Sequence, residues 1–390
     1  MRKIFFLLSL VLVSNLFVKA QAVFEKTLVF DSDVHGYAST RDPALCITTK
    51  GTLLAFCEAR VDGSGDWAAI DLLMRRSTDQ GKTWSDTTIL SNREKGKPTH
   101  NLTPIVEKNG TVHLLYFLNY ARAFHITSND DGKTWSKPIE ITYVFDEFKP
   151  EYNWKVIATG PGHGIQLKNG RLLAPAWLCI PNPAIKGGDH RPSCVATIYS
   201  DDHGKTWKRG AIIADNSPEF PNPSEIHAIQ LEDGNVMVDI RNESPNHLRA
   251  QSISPDGISN WTKPVFHPEL FEPICNAAIE RLSTKKQNGK SRILFCNPDS
   301  EKDKDKIGKN GFRGRINLSL RLSYDEGKTY PVKKVVDAGR SGYCDMVAGK
   351  DGFIYILYEQ GERENKGSVP QSLYLVKLNL QWLTDGKDKF

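Results

Sequence analysis

An eight-residue segment that occurs four times constrains the fold of this chain more than any other feature. It reads "STDQGKTW" at 77–84, "SNDDGKTW" at 128–135, "SDDHGKTW" at 200–207 and "SYDEGKTY" at 323–330, with a degenerate copy, "SPDGISNW", at 254–261. Each copy has Ser and Asp side chains that can hydrogen-bond a turn backbone, and a glycine that tolerates positive φ. We interpret the segment as a self-bonded hairpin turn whose final aromatic ring packs on neighbouring strands.

The spacing of these copies predicts a repeated unit of propeller-blade size. Their leading serines are Ser77, Ser128, Ser200, Ser254 and Ser323, and recurrence at such intervals is typical of blades. Around these turns lie short runs such as "VHLLYFLNY" and "FIYILYE", whose β-branched and aromatic residues favour strands. Blades of about 60 residues would number about six. We therefore predict an all-β fold, a single six-bladed β-propeller domain over 21–390, in which the repeats are scaffold.

Residues 1–20 have the composition of a secretory signal peptide. A basic pair precedes an apolar run over 4–13, and the segment ends in the small residue Ala20. Polar residues after the run keep it below the length that spans a membrane. We expect cleavage after Ala20, no membrane insertion after that cleavage, and a secreted or periplasmic protein.

The net charge excludes nucleic acid as a partner, and the cysteine content leaves open whether disulfides form. Without residues 1–20 the formal net charge falls from +5 to about +2, which is too weak for a nucleic-acid partner. The seven cysteines have no metal-ligand spacing. We expect most of them to be buried small hydrophobes, although one or two disulfides could form after export. We also expect no metal, no organic cofactor and a monomeric protein.

Three segments outside the turn motif itself carry residues that suit catalysis. "YASTRDPALCITTKGTLLAFCEAR" contains Arg41 and ends in Glu58 and Arg60, and Asp66 and Trp67 follow in "VDGSGDWAAIDLLMRRS". The segment "PSEIHAIQLEDGNVMVDIRNES" contains Glu225 near its start and Arg241 near its end. The segment "GRINLSLRLSYDEGKTYPVKKVVDAGRSGYCD" likewise contains Arg315 near its start and Tyr343 near its end.

These segments resemble those of bacterial exo-α-sialidases (neuraminidases) with Asp-box (BNR) repeats, over nearly the whole chain after residue 20. The resemblance implies that Arg41, Arg241 and Arg315 bind the carboxylate that sialic acid carries on its anomeric carbon. Arginine suits this task because its planar guanidinium grips a carboxylate bidentately and stays charged.

The same resemblance implies the catalytic roles. Tyr343 is expected to be the nucleophile, because a neutral phenol avoids the repulsion that a carboxylate nucleophile would meet from the substrate. Glu225 would be its general base, forming a nucleophile–base pair. Asp66 would protonate the leaving oxygen and then deprotonate water. These roles predict retention through a sialyl–tyrosine intermediate.

Three further residues are expected to line the substrate site. They are Glu58, which would orient one of the arginines, Arg60, and Trp67, which could pack on the N-acyl group of the substrate. One residue departs from the family pattern, since Asp42 stands where an aliphatic side chain is usual. Strand alternation would point Asp42 away from the face of Arg41, whereas a bend would bring its charge beside that arginine.

The expected function is therefore a secreted retaining exo-α-sialidase whose partners are sialylated glycans or glycoconjugates. Two alternatives remain open from the sequence. One is a hydrolase of the same mechanism that acts on another 2-keto-3-deoxy sugar acid, such as a deaminated sialic acid or a shorter ulosonic acid. The other is a non-catalytic propeller that binds sialosides. Transfer to another sugar instead of water is also compatible with these residues.

Overall fold

The computed structural model describes residues 21–32, 36–63, 65–91, 97–185, 188–301, 314–361 and 372–390. Residues 1–20, on which the signal-peptide prediction rests, lie outside this part of the chain. Within the described ranges, no helix combines the length and the apolar character that crossing a membrane requires.

Strands carry most of the described chain, and the few helices are short. The strands are β1 Phe24–Asp31, β2 Ser39–Ile47, β3 Leu53–Arg60, β4 Ile70–Ser77, β5 Thr88–Ser91, β6 Thr99–Val106, β7 Val112–Leu118, β8 Arg122–Ser128, β9 Ile139–Glu140, β10 Val156–Thr159, β11 Ile165–Gln166, β12 Leu172–Cys179, β13 Ser193–Ser200, β14 Lys208–Ala214, β15 Ile226–Gln230, β16 Val236–Ile240, β17 Leu248–Ser254, β18 Val265–Phe271, β19 Ala278–Ser283, β20 Arg292–Pro298, β21 Ile316–Ser323, β22 Val332–Ala348, β23 Ile354–Gln360 and β24 Ser372–Leu378. The helices are α1 Thr142–Asp146, α2 Lys285–Asn288, α3 Leu380–Leu383 and a 3-10 turn at Gly188–His190.

The strands form antiparallel sheets in an all-β, propeller-like arrangement. Four sheets have blade size: β2–β3–β4–β5, β6–β7–β8–β9, β15–β16–β17–β18, and β10–β12–β13–β14 with β11 added beside β12. The remaining strands form one seven-stranded sheet in the order β1–β24–β23–β22–β21–β20–β19.

The prediction of six separate blades is wrong for the described strands, which form four sheets of blade size and one larger sheet. The reason is the length of β22, which has 17 residues. Its first part pairs with β21, from Val332 to Arg340. Its second part pairs with β23, from Ser341 to Ala348. One continuous strand thus joins what the repeat spacing predicted as two sheets.

The core lies between neighbouring sheets, and β3 shows how the sequence produces it. All eight residues of β3 are buried, because successive side chains point to opposite faces and each face meets another sheet. Leu53 and Ala55 pack with Leu375 of β24, whereas Leu54 and Phe56 pack with residues of β6 and β7. Burial on both faces accounts for the continuous apolar run "LLAFC" in this strand.

All seven cysteines lie in the described part of the chain. Each is buried and unpaired. The expectation of buried small hydrophobes is therefore confirmed, and the disulfide alternative is not what the structure shows.

The recurring segment forms the self-bonded turn that the sequence predicts. In the first copy the Ser77 hydroxyl accepts the Gly81 N–H at 2.8 Å and donates to Asp79 at 2.8 Å. Hydrogen bonds from the hydroxyl and backbone N–H of Thr83 lower the pKa of Asp79 to about 2. Gly81 has φ +85°, and a Cβ there would stand 2.3 Å from Leu375 Cδ2. The turn therefore both closes a hairpin and packs against the adjacent sheet.

The two ends of the described chain meet in one sheet. Strand β1 pairs antiparallel with β24, from Phe24 beside Leu378 to Asp31 beside Ser372. This pairing fixes the seven-stranded sheet beside the first blade-sized sheet, where Arg41 of β2 contacts Glu359 of β23.

Candidate active site

Residues that are far apart in the sequence line one open cavity of about 470 Å³. Seven of the nine predicted site residues lie on its wall: Arg41, Asp66, Trp67, Glu225, Arg241, Arg315 and Tyr343. The other two, Glu58 and Arg60, lie behind the wall, with side chains that are 1% exposed.

Glu225 and Arg241 are neighbours because they flank one hairpin. Strands β15 and β16 pair in register from Ile226 with Ile240, so the residue before one strand meets the residue after the other. The Arg241 backbone N–H donates to the Glu225 carbonyl at 3.2 Å, and the two side chains form an ion pair. Their spacing in the sequence is thus the length of one hairpin.

Tyr343, in β22, completes a compact group with this ion pair. Its hydroxyl donates to Glu225 Oε1 at 2.6 Å and accepts from Arg241 Nη1 at 2.6 Å. Burial raises the pKa of Tyr343, and the charge of Glu225 adds to this effect, against the opposing charges of Arg241 and Arg315. The resting phenol is therefore neutral and already hydrogen-bonded to a carboxylate that can accept its proton.

The three predicted clamp arginines surround the ring of Tyr343. Their Cζ atoms lie 5.5 Å (Arg41), 5.8 Å (Arg241) and 5.2 Å (Arg315) from the ring centroid. Arg41 is paired with Glu359 at 3.1 Å, and Arg241 with Glu225.

Arg315 differs from the other two arginines in its partner. Its Nη2 donates to the carbonyl of Ile274 at 2.7 Å, and none of its contacts with the described residues is to a carboxylate. Arg315 therefore supplies the uncompensated positive charge of this end of the cavity, which an anion can satisfy.

Asp66 occupies the opposite, more open side of the cavity, on the segment between β3 and β4. Its side chain is 40% exposed and its Oδ1 lies 2.9 Å from Arg60 Nη1. Burial raises the pKa of Asp66, but the charges of Arg60, Arg41 and His190 outweigh it and lower the pKa to about 2. Trp67 beside it is 45% exposed, so this wall is only partly shielded from solvent.

Arg60 connects Asp66 to two buried carboxyl groups. Its Nη2 lies 2.7 Å from Asp42 Oδ2 and 3.1 Å from Glu58 Oε2. Burial raises the pKa of Glu58, and the neighbouring Asp42 raises it further. Glu58 pairs with Arg60, and both residues support the wall from behind instead of forming its surface.

Asp42 lies on the cavity wall, and the alternation argument fails at this position. The pairing of β2 with β3 shifts register between Arg41 and Ala44, and Asp42 has φ +54°. Such a bulge turns a side chain out of the regular alternation. The bend brings Asp42 onto Arg60, while the direct partner of Arg41 is Glu359.

The aromatic wall beside Asp66 contains Trp67, which was predicted, and three residues that were not: Tyr120, Trp177 and His190. His190, the last residue of the 3-10 turn, lies with its ring centroid 6.0 Å from that of Trp67, 5.2 Å from Tyr120 and 5.4 Å from Trp177. All four residues line the cavity. The sequence offered one signal, the consecutive Asp189, His190 and Arg191 in an otherwise featureless stretch.

One group of side chains in the described residues lies close enough together to hold a metal ion. It consists of His163, His227 and Asp345, all buried, with donor atoms within 4.8 Å of one another. His163 Nδ1 is already 2.8 Å from Asp345 Oδ1. Although burial lowers the pKa of His163, its contacts with Asp345 and Glu280 raise it well above the usual value. We therefore interpret the group as a buried ion pair.

Comparison with known proteins identifies the family. Residues 51–356 match the family described as BNR repeat-like domain. The chain is 30% identical to sialidase-3 of Rattus norvegicus over 409 residues, which cover 90% of this chain and 94% of that protein. The chain belongs to the sialidase family.

Two further similarities show how far the sialidase likeness extends. The chain is 26% identical to a sialidase of Micromonospora viridifaciens over 89% of its own length, and it spans 52% of that protein. It thus spans about half the length of this bacterial sialidase. Among solved structures, the Hadza microbial sialidase Hz136 is 25% identical with a TM-score of 0.73, over 90% of this chain and 68% of that one.

Proposed function

We propose that this protein is a retaining exo-α-sialidase that removes terminal α-linked sialic acids from glycoconjugates. The observation that carries the proposal is the contact of the Tyr343 hydroxyl with both Glu225 and Arg241 at 2.6 Å. This group lies inside a set of arginines that suits a sugar acid. The signal-like composition of residues 1–20 supports export to the periplasm or the medium.

Substrate binding begins with the sugar carboxylate. In this proposal it approaches Arg315, which has no carboxylate partner among the described residues, and is gripped further by Arg41 and Arg241. Charge-assisted hydrogen bonds of this kind are roughly twice as strong as neutral ones. The carboxylate then lies beside the Tyr343 ring, which places the anomeric carbon near the phenol oxygen.

In the first chemical step Glu225 takes the proton of the Tyr343 hydroxyl as the phenol oxygen bonds to the anomeric carbon. Arg241 stabilises the negative charge that develops on that oxygen, because it already donates to it. The bond to the leaving oxygen breaks, and Asp66 supplies the proton that this oxygen needs. The product is a sialyl–tyrosine intermediate.

In the second step water replaces the tyrosine. Asp66 accepts a proton from the water, the hydroxyl bonds to the anomeric carbon, and Glu225 returns the first proton to the Tyr343 oxygen. Two displacements at one carbon give net retention of configuration.

A second candidate function is hydrolysis of another 2-keto-3-deoxy sugar acid by the same steps. The observation in its favour is Asp42, whose carboxylate lies on the cavity wall where the family usually has an aliphatic side chain. A carboxylate there favours a ligand that presents a hydroxyl group over one that presents an apolar substituent.

The test is hydrolysis of 4-methylumbelliferyl α-sialoside and of sialylated lactose by the wild type, with Tyr343→Phe and, on sialylated lactose, Asp66→Ala measured beside it. We expect rapid release of the fluorophore by the wild type, and NMR of the first sugar released should show the α-anomer. Release of the β-anomer first would refute retention.

A parallel panel of aryl ulosonosides distinguishes the two candidate functions. Cleavage of these compounds without cleavage of the sialoside would replace the first proposal by the second. Binding of sialosides without any turnover would indicate a non-catalytic sialoside-binding propeller.

A further inference from the structure

Contacts of the residues around it hold His190 next to Asp66. The loop between β12 and β13 is closed on itself, since the Asn182 N–H donates to both Gly188 O and Arg191 O at 2.9 Å. A Cβ on Gly188 would stand 1.8 Å from Asn182 O, so the turn that ends in His190 is tightly packed. The Arg191 side chain is tied to Glu243. These contacts position His190 beside Asp66.

The surroundings of the imidazole give its two nitrogens different roles. Nδ1 faces Asp66 and lies 3.7 Å from Oδ2, one short movement from a hydrogen bond. Nε2 is buried and has no hydrogen-bond partner among the described residues. The rings of Trp67, Tyr120 and Trp177 pack around the imidazole. Asp66 is therefore the polar group that the imidazole faces, on the side that these rings leave open.

Asp66 needs such a partner if it acts as an acid. Its closest contact is Arg60 Nη1 at 2.9 Å, and an arginine stabilises the carboxylate and cannot supply a proton. The carboxyl groups of Asp42 and Glu58 contact the other nitrogen of Arg60. Among the described side chains in contact with Asp66, only the imidazole of His190 can both give and accept a proton near neutral pH.

We propose that His190 is a positioning residue for the acid/base step. It exchanges a proton with Asp66 before and after Asp66 acts on the substrate. This inference rests on the proposed sialidase function and extends it to a residue outside the family's expected acid, base and nucleophile.

The proton balance closes over the two steps. Protonated His190 gives the Nδ1 proton to the Asp66 carboxylate, and Asp66 passes a proton to the leaving oxygen as the glycosidic bond breaks. In the second step Asp66 takes a proton from the attacking water and returns one to Nδ1. His190 ends protonated as it began, and the water supplies the hydroxyl of the sugar and, overall, the proton of the alcohol.

The charged and titratable groups around His190 set the direction of the pH dependence. The charged form of His190 is favoured by three carboxylates, Asp66, Glu225 and Asp189, and is opposed by Arg241. Two further titratable groups lie near Asp66, namely His100 and Tyr120. Burial is the largest influence and lowers the pKa of His190 below its usual value. The protonated form is therefore populated as the pH falls below neutral, and proton supply to Asp66 should fail as the pH rises.

The experiment compares His190→Gln, His190→Phe and His203→Gln with the wild type. Gln cannot titrate, and Phe preserves the ring packing without a nitrogen. His203 is a matched control, because its side chain is 65% exposed and contacts Glu107, away from the cavity. The kcat/KM is measured from pH 4 to 9 on two substrates. The sugar that leaves from sialylated lactose must be protonated, whereas the phenol that leaves from the 4-methylumbelliferyl sialoside needs little protonation.

We expect both His190 variants to lose about 100-fold in kcat/KM on sialylated lactose but less than about tenfold on the aryl sialoside. The descending limb of the profile on sialylated lactose should move to lower pH in both variants, while His203→Gln keeps the wild-type profile.

Equal losses on both substrates with an unchanged pH profile would overturn the inference and leave the proposed function intact. A wild type that cleaves neither substrate would remove the proposed function and, with it, the inference.

Discussion

The two sides of the cavity are built differently. On the nucleophile side, Tyr343 is 8% exposed, and its hydroxyl makes two hydrogen bonds of 2.6 Å to Glu225 and Arg241, which directly adjoin the ends of two other strands. On the acid side, Asp66 and Trp67 lie on a connecting segment and are 40% and 45% exposed. Strands fix the first group, and a loop carries the second.

This difference suggests a division of labour. A nucleophile must be held in line with one carbon, and rigid elements achieve that positioning best. An acid must reach leaving groups of different shape and exchange protons with water, which requires some exposure. Substitutions on the nucleophile side should therefore act on every substrate alike, and those on the acid side should depend on the leaving group.

The largest effect is expected for Tyr343→Phe, which removes the hydroxyl that Glu225 and Arg241 hold. The kcat/KM on sialylated lactose should fall on the order of 10⁴-fold or more, as for removal of other nucleophiles. Tyr358→Phe is the matched control, since its buried hydroxyl bonds to Asp337 at 2.6 Å, away from the cavity. Activity of Tyr343→Phe within tenfold of the wild type would mean that the nucleophile is another group.

Effects of intermediate size are expected for the arginines around Tyr343, and Arg315 and Arg41 should differ in their effect on stability. Arg315→Gln should raise KM about 10- to 100-fold with little change in kcat, because a lost charge-assisted hydrogen bond costs about 1.5–3 kcal/mol in ground and transition states alike. Arg41→Gln should also lower the melting temperature, since it leaves the buried Glu359 without its arginine. Steady-state kinetics and thermal unfolding of both variants measure this contrast, and equal losses of stability would contradict it.

The smallest effect is expected for Asp42→Asn, which keeps the shape of the side chain and its tolerance of positive φ while removing a charge. With less negative charge near Arg41, the KM for a sialoside should fall about two- to fivefold at low salt, an effect that added salt should reduce. A KM that rises instead would indicate that Asp42 hydrogen-bonds the substrate, in favour of a different sugar acid.

Local patterns in the sequence predicted the scaffold well. Ser77, Asp79 and Gly81 form their turn with one another, so one short segment contains all that the turn needs. The number of separate sheets was predicted incorrectly, because it depends on whether β22 breaks between its two partners. Its continuity is decided by pairing with β21 and β23, which no short pattern records.

The same distinction applies to the candidate site. The spacing of Glu225 and Arg241 is the length of one hairpin, so a sequence motif captures it. The placement of Asp42 depends on a shift in strand register, and that of His190 depends on the packing of a loop against rings from other segments of the chain. These features arise only when distant segments meet, which is why the alternation argument failed for Asp42 and why His190 was missed.

The pairing of β1 with β24 has a consequence for how the chain reaches its structure. Glu25 meets Lys377, so the loop that this pair closes contains almost every other strand. Loop-closure entropy grows only slowly with length, by about 0.6 kcal/mol per doubling, so closing this loop costs little more than closing one of half its length. The pairing does affect the order of events during synthesis. Strand β1 emerges before the other described strands and remains an unpaired edge until the ribosome has delivered β24.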